Sequence, residues 1–308
     1  MSTVPITEGE IDFVVPAAGK PCKTWYKVVG DLKSRSRRPL VVLHGGPGST
    51  HDYVAEIADV ASLYSIPVIL YDQLGNGRST HLPEKNGDVE FWTVQLFIDE
   101  LKNLLSFFEI QDDFALLGQS WGGMLAASFA VQQPKGLKKL VLADSPSSMP
   151  LWVEVANKLR KELPQEIQDA LTKHEEAGTI HDKEYIDATL VFYSRHLCRI
   201  SPMPQGLLTS FHYMDKDPTV YYTMNGPTEF HITGSLKNWS IIEDAHKIVV
   251  PTLLINGRYD EAQDEVLLPY FRAIPKVKWV QFAESSHVPH TEERERYMQV
   301  LESFLQDD

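Results

Sequence analysis

Short, mostly apolar runs alternate along this chain with longer stretches whose apolar residues recur at helical spacing. Residues 39–43, 66–71, 114–117, 137–143 and 250–256 are of the first kind. A run without polar alternation suits a strand covered on both faces, as in a parallel sheet. Residues 51–63, 91–108 and 124–130 are of the second kind, and their spacing predicts helices. Strands alternating with helices predict an α/β fold with a mostly parallel, doubly wound sheet, and ligands at the carboxyl ends of its strands. Ahead of this, residues 11–15 and 24–29 are β-rich and flank Gly19-Lys20-Pro21, which predicts an opening hairpin.

At Asp144-Ser145-Pro146 the alternation stops. From 146 to 238 helical stretches (151–163, 166–177, 183–196) follow one another without a buried strand, broken by Pro202-Met203-Pro204 and Pro218. This predicts a helical lid of residues 146–238 inserted into a core made of 1–145 and 239–308. The rhythm then resumes with the strand 250–256, a helix over 261–272, a strand over 277–282 and a terminal helix over 292–306.

Composition narrows the function. The 308 residues, 43% hydrophobic and 23% charged, describe an ordinary globular chain with a sizeable core. A formal charge of -13 argues against nucleic-acid and anionic-membrane partners, which require basic surfaces. Cys22 and Cys198 have neither disulfide-framework nor metal-ligand spacing and are expected as buried thiols. Residues 1–11 carry Glu8 and Glu10 and no apolar signal core, and no apolar run reaches a membrane span. A cytoplasmic location is the expectation.

Three loops carry candidate chemistry. Gly118-Gln119-Ser120-Trp121-Gly122 joins a predicted strand to a predicted helix, so Ser120 sits at the apex of a sharp turn. His44-Gly45-Gly46-Pro47-Gly48 ends another strand in a rigid loop that can aim amide N–H groups at a developing oxyanion. Asp72 to Ser79 forms a second tight turn. A phosphate-binding reading of Gly75-x-Gly77 fails because no helix entry follows, and Asp72 and Arg78 are expected to pair within the loop. A serine nucleophile needs a base, and that base an orienting acid. Asp260 and His287 each lie just past a late strand, in the order Ser, Asp, His. Asp264, inside the following helix, is a rival acid, and His290 a rival base. His44 is expected to be structural.

Together with Asp72-Gln73-x-Gly75-x-Gly77-x-Ser79, Gly257-x-Tyr259-Asp260 and Ser286-His287, these motifs span nearly the whole chain. The sequence resembles the α/β-hydrolases of the proline iminopeptidase family, the serine peptidases of the S33 type. The stretch Met224-Asn225-Gly226-Pro227-Thr228-Glu229-Phe230 resembles a narrower branch, the tricorn-interacting aminopeptidases and amino-acid amidases. That resemblance implies a substrate ammonium held by Glu229 and Glu261, and paired carboxylates suit such a cation independently. It further implies an acyl-enzyme on Ser120 with His287 as base and Asp260 as orienting acid. Backbone N–H groups of Gly45 and Trp121 are expected to form the oxyanion hole. The expected substrate is a short peptide or amino-acid amide, with no cofactor and no metal. Two alternatives stay open: an esterase, lactonase or amidase acting on a metabolite without a free amine, and a ligand-binding member of the fold that does not turn over. Side-chain preference and oligomeric state are not fixed by the sequence.

Overall fold

Eight strands form one sheet in the computed structural model, which describes residues 4–306. The extreme ends of the expected core, 1–3 and 307–308, lie outside the described residues. In chain order the strands are β1 (Ile6–Phe13), β2 (Cys22–Val29), β3 (Leu40–Leu43), β4 (Val68–Asp72), β5 (Phe114–Gln119), β6 (Leu137–Ala143), β7 (Thr252–Gly257) and β8 (Val277–Phe282). They lie in the order β1-β2-β4-β3-β5-β6-β7-β8. The β1–β2 and β2–β4 pairs are antiparallel and all others parallel, as the alternation predicts.

The period-two geometry of a strand sends successive side chains to opposite faces. In β3, Leu40 and Val42 pack with Ile57, Val60 and Leu301 on one face. Val41 and Leu43 pack with Phe97 and Leu101 on the other. Both faces are covered, which is why the run is apolar throughout. Each such side chain contributes about 1.5–3 kcal/mol by burial.

β1 begins at Ile6 rather than Ile11. Its first half is an exposed edge, and Glu8 and Glu10 pair with Lys27 and Lys23 of β2 at 3.2 and 3.0 Å. Polar residues on an open edge leave no apolar run to read.

The helices before β6 are α1 (Asp59–Tyr64, continuing a 3-10 segment His51–Ala58), α2 (Val94–Phe107) and α3 (Trp121–Ala130). Between β6 and β7 run α4 (Met149–Arg160), α5 (Gln165–Ala177), α6 (Lys183–His196), α7 (Gln205–Lys216) and α8 (Thr219–Met224). Pro204 and Pro218 do not merely interrupt this segment, since each stands immediately before a helix, α7 and α8. A fixed φ and a missing N–H are harmless at a helix start. Ala156, Leu171, Tyr185, Phe192 and Phe230 give the segment an apolar cluster of its own. The chain closes with α9 (Asp264–Ala273), α10 (Pro289–Glu292) and α11 (Arg294–Leu305).

The Asp72 loop departs from expectation in one detail. Asp72 accepts the backbone N–H of Arg78 at 2.9 Å and both the N–H and Nδ1 of His51 at 2.8 Å. The Arg78 guanidinium instead lies over the Trp25 ring, 4.5 Å from its centre. Cys22 and Cys198 are buried free thiols. Among the described residues no helix is long and apolar enough to cross a membrane.

Candidate active site

Ser120 links β5 to α3 with φ 57° and ψ -123°, a conformation that costs a non-glycine residue about 1–3 kcal/mol. The turn is tight because its neighbours carry no side chain. A Cβ on Gly118 would stand 2.0 Å from the Gly122 carbonyl oxygen, and one on Gly122 would stand 2.2 Å from that of Leu43. The serine is thereby presented at the carboxyl edge of the sheet with the start of α3 behind it. The Trp121 N–H is one of the donors that a helix start leaves without an internal partner.

Asp260 and His287 reach the same edge from the ends of β7 and β8. His287 Nδ1 lies 2.6 Å from Asp260 Oδ1, which also accepts the Ala262 N–H at 2.8 Å. Both side chains are buried, and His287 lines one cavity with Ser120. The rivals are occupied elsewhere. Asp264 accepts from Asn256 and Gln281 at 3.0 and 2.6 Å. His290 lies 2.9 Å from the Tyr53 carbonyl oxygen, and burial holds its pKa down at about 4. His44 accepts the Gln73 N–H at 3.0 Å and is likewise lowered by burial to about 4, a neutral structural ring.

The Gly45 N–H is engaged. It donates to Tyr53 Oη at 2.7 Å, and the Tyr53 hydroxyl donates in turn to Gln119 Oε1. The Gly46 N–H has no partner among the described residues, and Gly46 borders the serine from two adjoining cavities. Gly46 thus replaces Gly45 as the loop's available donor beside Trp121. Gln119 Nε2 completes the chain by donating to the His287 carbonyl oxygen at 2.8 Å. A hydrogen-bonded relay therefore runs from the glycine loop through Tyr53 and Gln119 to the histidine loop. Gln73 adds a second tie, accepting the Trp121 indole N–H at 2.9 Å and donating to the His44 carbonyl oxygen at 3.0 Å.

Neither Tyr53 nor Gln119 is marked as functional by sequence, although Gln119 adjoins Ser120. Tyr53→Phe would strand the Gly45 N–H and Gln119 Oε1, at about 1–3 kcal/mol for each buried orphan. Steady-state kinetics should show kcat falling about tenfold with KM nearly unchanged, since the relay orients reacting groups rather than substrate. An unchanged kcat with a lower Tm would reduce Tyr53 to a structural role.

The two glutamates converge from different parts of the chain. Glu261, next to Asp260, is fully buried, with Oε1 3.9 Å from His287 Nε2, and neither carboxylate oxygen has a hydrogen-bond partner among the described residues. Glu229 follows α8, is half-buried, and lines both cavities. Tyr221 donates to its Oε1 at 2.8 Å, and the Trp152 indole N–H fixes its carbonyl oxygen at 2.6 Å. Burial raises both pKa values, most strongly for Glu261, where it outweighs the opposing charge of His287 and Glu229 and Asp260 add like charge. For His287, burial disfavours the cation, but Asp260, Glu261 and Glu229 outweigh it and raise the pKa to about 9. The site thus holds two carboxyl groups whose ionisation burial disfavours until a cation joins them, beside an apolar wall that includes Met124, Met149, Trp152 and Leu236.

The chain is similar to known proteins over most of its length. A family model described as alpha/beta hydrolase fold matches residues 38–293. A protein named proline iminopeptidase from Saccharolobus solfataricus is 38% identical over 280 residues, 91% of this chain and 87% of that one. Another of that name from Thermoplasma volcanium is 36% identical over 92% of each chain. Among solved structures, VinJ is 47% identical with a TM-score of 0.92, covering 97% of this chain and 98% of the other. The proline iminopeptidase of Mycobacterium smegmatis is 43% identical with a TM-score of 0.86, covering 96% and 97%.

Proposed function

Because the chain belongs to the α/β-hydrolase family and, within it, to the proline iminopeptidases, we propose that it is a serine aminopeptidase releasing the N-terminal residue of short peptides, and of amino-acid amides, through an acyl-enzyme. The observation that carries the recognition step is the unpartnered buried carboxylate of Glu261, 3.9 Å from His287 Nε2, together with the half-buried Glu229 that lines the cavities beside Ser120. Buried carboxylates without partners are costly, and a substrate ammonium supplies the missing donors and charge together.

In this reading Ser120 Oγ attacks the carbonyl carbon of the N-terminal residue, and His287 Nε2 takes its proton. Asp260, bonded to Nδ1, fixes the tautomer and stabilises the imidazolium that forms. The Trp121 and Gly46 N–H groups receive the oxyanion. His287 then protonates the departing amine, and water, activated by the same ring, releases the acyl group. Glu229 and Glu261 anchor the ammonium and so place the carbonyl of the first residue, and no later one, at the serine. Residues 146–238 act as the lid, contributing Glu229 and much of the apolar wall.

The test is a panel of aminoacyl anilides (Pro, Ala, Leu, Phe), each with a free and an N-acetylated amine. Turnover of the free amines, abolished by acetylation, is the expected result, and the panel then ranks the side-chain pocket. Equal turnover of acetylated substrates would overturn the ammonium reading and favour an esterase or amidase.

A further inference from the structure

Behind the proposed triad lies a second aspartate that the chemistry above does not use. Asp144 follows β6, held with φ 52° by a hydrogen bond from its N–H to the Ile255 carbonyl oxygen at 2.7 Å. Its side chain and that of Asp260 are completely buried. Both carboxyl oxygens of Asp144 and Oδ2 of Asp260 make no well-aligned hydrogen bond among the described residues, and the Asp144 side chain lies beside those of Asp260 and Gln119. Two ionised carboxylates offer only acceptors and repel at that range. One proton between them satisfies an oxygen on each side.

We propose that Asp144 is kept as the un-ionised acid and donates its proton to Oδ2 of Asp260, making it a positioning residue one layer behind the triad. Oδ1 of Asp260 is then left to His287 and the Ala262 N–H, and the carboxylate is clamped from both oxygens. The surroundings favour this state. Burial, and then the charges of Asp260 and Glu292, hold the Asp144 carboxyl well above the usual carboxylate range, against a smaller opposing contribution from Gln119. Tyr53 and Tyr297 also face it, and neither hydroxyl brings a positive charge. His287, on the far side of Asp260, meets Glu261 and Glu229 as well. Like-charged carboxyls forced together divide their protons unequally, one remaining an acid. The shared proton is not transferred during the reaction; it partly spreads the charge that Asp260 presents to His287.

The inference rests on Asp260 serving as the triad acid, and the experiment separates the two. The pH dependence of kcat/KM is measured for Asp144→Asn, Asp144→Ala and Asp260→Asn beside wild type, on one free-amine anilide, with Tm recorded for each. Asparagine is neutral, keeps an N–H donor for Oδ2 and tolerates the left-handed φ. It should hold kcat within about threefold of wild type and leave the acid limb unmoved. Alanine removes the donor, so kcat should fall about tenfold or more, and the acid limb should move to higher pH because the full charge of Asp260 then faces His287. An acid limb that moves to lower pH in Asp144→Asn overturns the proposal, since that shift means Asp144 carries a charge in the native protein. Equal losses in the Asn and Ala variants, or losses that follow Tm alone, overturn it as well. The direct signature is a carbonyl-stretch band of an un-ionised carboxylic acid in the wild-type minus Asp144→Asn difference spectrum near neutral pH, where the bands of Glu229 and Glu261 cancel. Normal turnover in Asp260→Asn would instead sink the triad assignment.

Discussion

Ser120→Ala is expected to leave a folded protein whose kcat has fallen by about 10⁵–10⁶-fold. The substitution removes one oxygen and keeps the Cβ, so the turn and its strained φ of 57° are retained. No hydrogen bond in the described residues depends on that oxygen, and the Tm should stay level or rise slightly, as is common when a reactive group is removed from a strained site. Substrate affinity should survive, because ammonium recognition and the oxyanion donors lie on other residues. The residual rate should still exceed that in water by about 10³–10⁴-fold, from donors and binding alone. Single-turnover kinetics and equilibrium binding of a free-amine anilide measure both quantities. A variant keeping a tenth of wild-type turnover would remove Ser120 from the nucleophile's place.

The second large effect belongs to Glu229→Gln combined with Glu261→Gln. Each charge-assisted hydrogen bond to the ammonium contributes about 1.5–3 kcal/mol, so kcat/KM on free-amine anilides should fall roughly 10²–10⁴-fold. Any small activity on the acetylated forms should be unchanged or improved. The pH profile should move as well. Burial opposes the His287 cation, and the carboxylates of Asp260, Glu261 and Glu229 lift the ring to about 9 nonetheless. Removing two of those charges lowers that value, so the acid limb of the double variant should lie at lower pH than that of wild type. Stability changes in the opposite sense to activity. Both glutamates have pKa values raised above the unfolded range and so bind protons more tightly when folded. The associated stability is fully present below the unfolded carboxylate pKa and is lost as pH rises through the raised folded values. The double variant escapes that loss and should melt higher than wild type at about pH 8, with little difference at about pH 4. Denaturation scans at the two pH values test this directly.

Much of the sheet and the serine turn was legible because each rests on local chemistry. Buried strands of a parallel sheet must be apolar throughout, and a turn packed as closely as Gly118 to Gly122 admits only glycine at its flanks. Asp260 and His287 were readable from their places just past β7 and β8, which fix the edge they reach. What escaped depends on partners distant in sequence. The first half of β1 is a solvent-facing edge with no apolar signal. That Tyr53 meets both Gly45 and Gln119 cannot be inferred from spacing, yet this contact decides which amide of the glycine loop stays available. The Arg78 N–H, rather than its guanidinium, answers Asp72, because Trp25 offers the cation a ring. Asp144 reads as the end of a strand until the fold brings Asp260 beside it.

The relay through Gly45, Tyr53, Gln119 and the His287 loop, and the pair formed by His287 with Asp260, lie wholly in the strand-bearing part of the chain. None of these bonds passes through the helices between β6 and β7. The proposed reacting groups therefore depend on those helices chiefly through His196 of α6, which accepts the Glu261 N–H at 3.1 Å and lies 2.9 Å from the Tyr259 carbonyl oxygen, and through the delivery of Glu229. Selection can then redraw the choice of substrate side chain by drift in α4 to α8, without retuning the machinery beneath. The division of labour within the chain is also a division in how freely its parts can evolve.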